Sequence, residues 1–176
     1  MLAITVIVII GIAAYPLYKN ARTSSEVEAM ANDIAILQTN SQTLFSGQSS
    51  YSTITNLLLA NAGMSPDDIK TATPDVGVWK NSWGGDVFVK PSTAIGGLTA
   101  NAGFTITMTG IPQSACTQLV NRVAPSFLAI GTGAADGSAN DGLIKGGSAT
   151  NMTKVDVTQI SNVCLPAGGT LAFTAR

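Results

Sequence analysis

Polar and apolar positions divide the chain into an apolar start, an amphipathic continuation and a longer stretch of short alternating patterns. Met1 to Tyr15 carries no charge and a single hydroxyl, on Thr5, ahead of its closing aromatic. From Val27 the apolar residues fall at Met30, Ala31, Ile34, Leu37, Leu44 and Phe45, the spacing of a helix with one buried face. Glu26, Glu28, Asn32, Asp33, Gln38 and Asn40 are assigned to the outer face. The two patterns join through Pro16 and predict one rod of about 45 residues, apolar all round in its upper third and half-apolar below.

As a helix the apolar stretch reaches roughly 22 Å, whereas a bilayer's hydrocarbon core is roughly 30 Å thick. A secretory signal, a buried core helix and the lower end of a membrane helix are the available readings. A signal peptide opens on basic residues, and here no Lys or Arg precedes Lys19. The helical pattern also runs on where a cleavage site would interrupt it.

Beyond the rod, Gly47-Gln-Ser-Ser50 predicts a left-handed helix end and the start of a surface loop. Tyr51 to Ala62, with Ile54, Leu57, Leu58 and Leu59 before Gly63, predicts a helix of about three turns. Ser65-Pro66-Asp67-Asp68 predicts a second short helix, with a hydroxyl cap, proline at the first position and acid in the first turn. Val76 to Val89 alternates around Asn81-Ser82-Trp83-Gly84-Gly85 and predicts a hairpin. Phe104 to Thr109 alternates apolar and hydroxyl residues, predicting a strand with one buried face. Pro112 opens a helix that brings Cys116, Leu119, Val120 and Val123 to one side.

Composition narrows the function. At 176 residues the chain suffices for one sizeable core. Charged residues make up 11%, nine basic against ten acidic, which predicts no nucleic-acid groove and no polybasic membrane patch. Without histidine there is no Ser-His or Cys-His dyad. The carboxylate pairs Asp67-Asp68 and Asp136 with Asp141 fit a helix start and a glycine loop better than acid–base chemistry. Gly84-Gly85 and Gly146-Gly147 lack the Lys-Ser/Thr ending of a phosphate loop. Asp136, Ser138 and Asn140 alternate like the first ligands of a calcium loop, but Asp141 and Gly147 stand where glycine and glutamate are needed. That segment, Gly131 to Ser148, reads instead as a solvated loop with little to bury. Asn151-Met152-Thr153 fits the N-glycosylation pattern and reads as loop. No catalytic residue, cofactor or metal is expected.

An apolar start followed by Pro16-Leu17-Tyr18-Lys19-Asn20 and a lengthening amphipathic helix resembles the N-terminal helix of type IV pilins, the subunits of bacterial surface filaments. Aligned on Pro16, the aromatic or methionine first residue and the early glutamate of that family fall ahead of Met1, so neither is carried over, and Thr5 takes no such role. The run Asn81-Ser82-Trp83-Gly84-Gly85 is similar to the one that opens the sheet in many pilins. Gly110 to Val123 with Phe127-Leu128-Ala129-Ile130, and Val155 to Cys164 with Gly169 to Ala175, resemble the type IVb subclass, where a helix bearing the first cysteine leads into a strand and a second cysteine precedes the closing strand.

The resemblance implies an α+β fold, a long N-terminal helix on an antiparallel sheet with a disulfide-closed C-terminal region. Residues 1–23 would form the membrane and filament-core half of the helix. Residues 24–176 would form the globular part, divided into amphipathic helix (24–46), connecting loop (47–75) and sheet with disulfide-bounded region (76–176). In an exported chain Cys116 and Cys164 are expected to pair, worth roughly 4 kcal/mol in the chain-entropy model, with two buried free thiols as the alternative. A CxxC motif is excluded by their spacing.

Function follows as implied by the family: a major pilin that polymerises with identical subunits into a type IVb pilus for adhesion, cell contact or conjugation. The implied partners are the pilus assembly machinery, the prepilin peptidase, which brings N-terminal methylation with it, and the inner membrane before assembly. Nucleic acid is not among them. Ile4, Val6, Val8, Ile9, Ile12, Tyr15, Pro16 and Tyr18 are the expected assembly residues, and Gly11 and Pro16 the expected hinge. The alternatives are a secretion pseudopilin or minor pilin and, from another class, a periplasmic binding domain tethered by one helix.

Overall fold

The computed structural model describes the backbone of residues 2–66, 69–73, 77–134, 136–147, 153–165 and 168–176, and the side chains of these residues from Ala21 onward except 70–73. Helix α1 is unbroken from Leu2 to Leu44, and the chain then turns away through Gly47 at φ +86°, as glycine at a helix end permits. Helix α2 (Asn56–Asn61) follows. The sheet comprises β1 (Lys70–Thr73), β2 (Val78–Lys80), β3 (Asp86–Pro91), β4 (Phe104–Ile111), β5 (Ala129–Thr132) and β6 (Gly169–Ala175), in the order β1-β2-β3-β4-β6-β5 with every pairing antiparallel. Helix α3 (Gln113–Val123) runs into a 3-10 turn before β5, and α4 (Val157–Val163) precedes β6.

Register places Trp79, Val87, Met108 and Leu171 in one row across the strands, with Val89, Ile106, Phe173 and Ile130 in the next. This inner face merges with Val27, Met30, Ile34, Leu37 and Phe45 of α1 in one core, as the helical spacing predicts. Asp33 departs from its expected outer position and is buried. It lies three residues after Met30 and four before Leu37, so the stripe α1 buries is wider than its apolar set.

The outer face of the sheet corrects the expectation for β4. Thr105 and Thr107 are buried along with Phe104, Ile106 and Met108, because residues 133–134 and 136–140 form a strap across them. The strap closes on itself through a bridge between Gly133 and Asn140. Glycine permits its close approach: a Cβ on Gly133 would lie 2.9 Å from the Ala172 Cβ, and one on Gly137 2.6 Å from the Phe88 Cβ. Beneath it the Thr105 and Thr174 hydroxyls bond at 2.9 Å, and the Asn140 amide donates to the Thr174 hydroxyl at 2.9 Å and the Ala172 carbonyl at 3.2 Å. The segment expected to have little to bury therefore buries Asn140 and Ile144. It also pairs the outer edge of β5, through the amides of Ile144 and Lys145 bonding the Ile130 carbonyl.

Two expected helices differ. Residues 51–55 are not helical, since the side chain of the extended Thr55 caps α2 by accepting from the Leu58 amide. No helix continues from Ser65 and Pro66: Ile69 lies in a bend and Lys70 opens β1, while Asp67 and Asp68 lie outside the described residues. The hairpin of β2 and β3 is where the alternation places it, and Val76 also lies outside the described residues.

Candidate functional site

The candidate site is the rod and the structures that fix it to the domain. Gly11 and Pro16 fall inside unbroken α1, as do the positions of Ile4, Val6, Val8, Ile9, Ile12, Tyr15 and Tyr18, whose side chains lie outside those described. Among residues with described side chains, no helix is long and apolar enough to cross a membrane. Val27 is the first buried residue of α1 among them, roughly 25 residues and 37 Å along the helix from Leu2.

Just ahead of Val27 two contacts tie the helix to the domain, beside one ion pair within it. Glu26 accepts from the Arg22 Nε at 2.8 Å and from the Trp83 indole N–H at 3.1 Å. Ser24 donates to the Gln118 side-chain oxygen of α3 at 3.4 Å. Farther along, the Glu28 carboxylate lies 3.6 Å from the Arg122 guanidinium, and the Gln38 amide donates to the Ser126 carbonyl at 3.1 Å. A groove of about 280 Å³ follows this seam between α1 and α3, with Ile34, Val123 and Phe127 along its floor.

Trp83 is held by its turn. The buried Asn81 accepts from the amides of Trp83 and Gly85, both at 3.0 Å, while its own amide donates to the Thr109 carbonyl at 2.9 Å. A Cβ at Gly85 would run into that carbonyl. Asn81, Trp83 and Gly85 of the run thus each have a task, though the sequence alone marked only a turn.

Cys116 on α3 and Cys164 at the end of α4 form a disulfide with a Cα–Cα distance of 5.6 Å, as expected. It joins the two helices beside the start of β6, since a Cβ on Gly169 would lie 3.8 Å from the Cys116 Sγ. Lys145 locks the same region by donating to the Ala124 and Phe127 carbonyls at 2.7 and 2.6 Å. These close the last turn after α3, where a cation complements the helix dipole, and burial pulls the Lys145 pKa below 10.5.

Of the carboxylates weighed for catalysis or calcium, Asp136 and Asp141 are engaged locally. Asp136 accepts from the Ser138 hydroxyl and amide, which lower its pKa below 3.8. Asp141 accepts from the Thr132 hydroxyl and from the Thr132 and Leu143 amides. Asn151 and Met152 of the glycosylation pattern lie outside the described residues.

Comparison with known proteins agrees with this architecture. The sequence model of the PilS N-terminal family matches residues 24–176. No curated protein matches the chain. Among solved structures, a type IVb pilin from Salmonella typhi is similar at 27% identity with a TM-score of 0.56, over 85% of this chain and 97% of that one. TcpA, a type IV pilin from Vibrio cholerae El Tor, shares the fold at 22% identity and a TM-score of 0.54, over 86% of this chain and 99% of its own. With the match running from the amphipathic part of α1 through the closing strand, the chain belongs to the PilS family of type IVb pilins.

Proposed function

We propose that the protein is the major structural subunit of a type IVb pilus, held in the inner membrane before assembly and at the cell surface afterwards. The observation that carries this reading is the division of α1. Its amphipathic half seals the sheet, whereas the apolar sequence from Leu2 to Tyr15 belongs to the same helix, well ahead of Val27, the first buried residue among those with described side chains. Such a surface is satisfied in lipid or against copies of itself. Burying it removes on the order of 1,000 Å² from water, roughly 25 kcal/mol before association entropy. Repetition of one head-to-tail contact gives a helical filament.

The tethered-domain alternative calls for a flexible linker after the anchor, and α1 enters the domain as unbroken helix. The disulfide-bounded region favours a major pilin over a pseudopilin. On this reading the strap, with Ser138 exposed, lies on the outside of the filament.

Negative-stain microscopy of native surface material is the test. Filaments that contain this chain along their whole length, and take an antibody against a tag at Ser138, are expected. A chain confined to a tip or to the membrane, or a Ser138 tag that blocks assembly while a label on Val27 does not, would overturn it.

A further inference from the structure

We propose that the Asn81–Gly85 turn is a clamp that sets where and at what angle the assembly helix leaves the domain, with Trp83 the positioning residue acting through Glu26. The inference rests on the filament reading. Its footing is the placement of one rigid turn against one helical position. Asn81 fixes the turn to β4 by its own amide and holds the Trp83 and Gly85 amides. Asp86 reinforces this, its amide donating to the Thr109 hydroxyl at 2.7 Å. The indole is half-buried against the core with its N–H on Glu26, the residue before the buried Val27. The same carboxylate takes Arg22 one turn earlier. A single acid therefore ties this turn of the rod to the sheet.

A hydrogen bond to a carboxylate with a side-chain exposure of 29% is charge-assisted and only partly open to water, so it outweighs an ordinary surface contact. On the other side of α1 the Ser24–Gln118 contact, at 3.4 Å between uncharged groups, is the weaker tie. Neighbouring subunits that bundle their apolar helices need one exit angle in every copy. A domain free to swivel about residues 22–27 offers many, and ordering them costs free energy at each addition.

The test uses the full chain in detergent micelles and limited trypsin digestion, comparing cleavage after Arg22 with cleavage after Lys19, which lies beyond the clamp. Trp83→Phe keeps the ring and loses the donor. It is expected to raise the Arg22 to Lys19 cleavage ratio about tenfold, through local opening of the helix. Glu26→Leu, which also releases Arg22, should raise the ratio at least as much, and the double variant no more than Glu26→Leu alone. Ser82→Ala in the same turn should change nothing. Assembled filament from cells expressing Trp83→Phe should fall several-fold while the domain's thermal midpoint stays near wild type.

An unchanged ratio, or additive effects in the double variant, overturns the clamp. A raised ratio with wild-type filament yield overturns its role in assembly and leaves the filament reading standing. Absence of wild-type filaments sinks that reading, and the assembly role with it, whereas the cleavage ratio still decides the clamp.

Discussion

Several residues do work that their type alone does not announce. Cysteine pairing was legible from the apolar stripe around Cys116 and the export context, and the disulfide bears it out. Cys164→Ser is expected to cost roughly 4 kcal/mol by the chain-entropy account of a loop spanning 48 residues. Surface filaments should vanish with it, and normal piliation by electron microscopy would refute this. Asp33 and Asn140 were not legible, because polar residues default to the surface and only tertiary neighbours reveal their burial. The spacing around Asp136 argued for a loop, but its turn with Ser138 becomes visible only in three dimensions. Hydrogen bonds from Ser138 hold its folded pKa below 3.8. The stabilisation is thus present above that value and fades as pH falls through it, since the unfolded chain takes up the proton first. Ser138→Ala should lower the urea midpoint near neutral pH, and the difference should shrink toward about pH 2. A difference independent of pH would show that the carboxylate is not its source.

At the scale of elements, long periodic segments were readable and short ones were not. The lower part of α1, the β2–β3 hairpin, β4 and α3 each carry enough repeats for the period to show. Strand β1, Lys70-Thr71-Ala72-Thr73, has no apolar residue beyond alanine and is a strand only because β2 offers an edge. Helix α4 begins with β-branched Val157 and Thr158, which weaken its helical signal. Its marks were Asp156 as cap and Ile160 with Val163 at a spacing of three. The Asp156 carboxylate accepts from the Thr158 and Gln159 amides at 2.9 and 3.4 Å. Asp156→Ala is therefore expected to cost about 1 kcal/mol. Asp156→Asn, which keeps a capping oxygen, should recover most of that in urea denaturation. Equal loss in both variants would assign the effect to something other than the cap. The strap shows the opposite failure: its glycines read as loop freedom, whereas Gly133 and Gly137 are small so that backbone can lie directly on the sheet.

For the molecule as a whole, the proposed function requires one chain to serve both membrane and filament. Here α1 is continuous through Gly11 and Pro16, the form a membrane-resident subunit requires, because lipid penalises every unpaired backbone group. Yet this is the rod's weakest turn. Pro16 has no amide hydrogen for the Ile12 carbonyl and its ring crowds that oxygen, while Gly11 lowers helix propensity by about 1 kcal/mol. Once subunits leave the bilayer, neighbouring helices can pack against an opened turn and satisfy its groups. The clamp at Glu26 then holds the lower rod to its domain, so that bending concentrates above it. The segment from Gly11 to Pro16 is accordingly expected to be kinked or unwound in the assembled filament, with the apolar tip lying along the core and the lower helix keeping its place on the sheet. Amide exchange should report the same change, with protection of residues 11–16 in detergent or nanodiscs exceeding that in filaments. A filament structure with straight α-helix from Val8 to Ala21 would overturn this, and would mean that the membrane form of the rod is carried into the pilus unchanged.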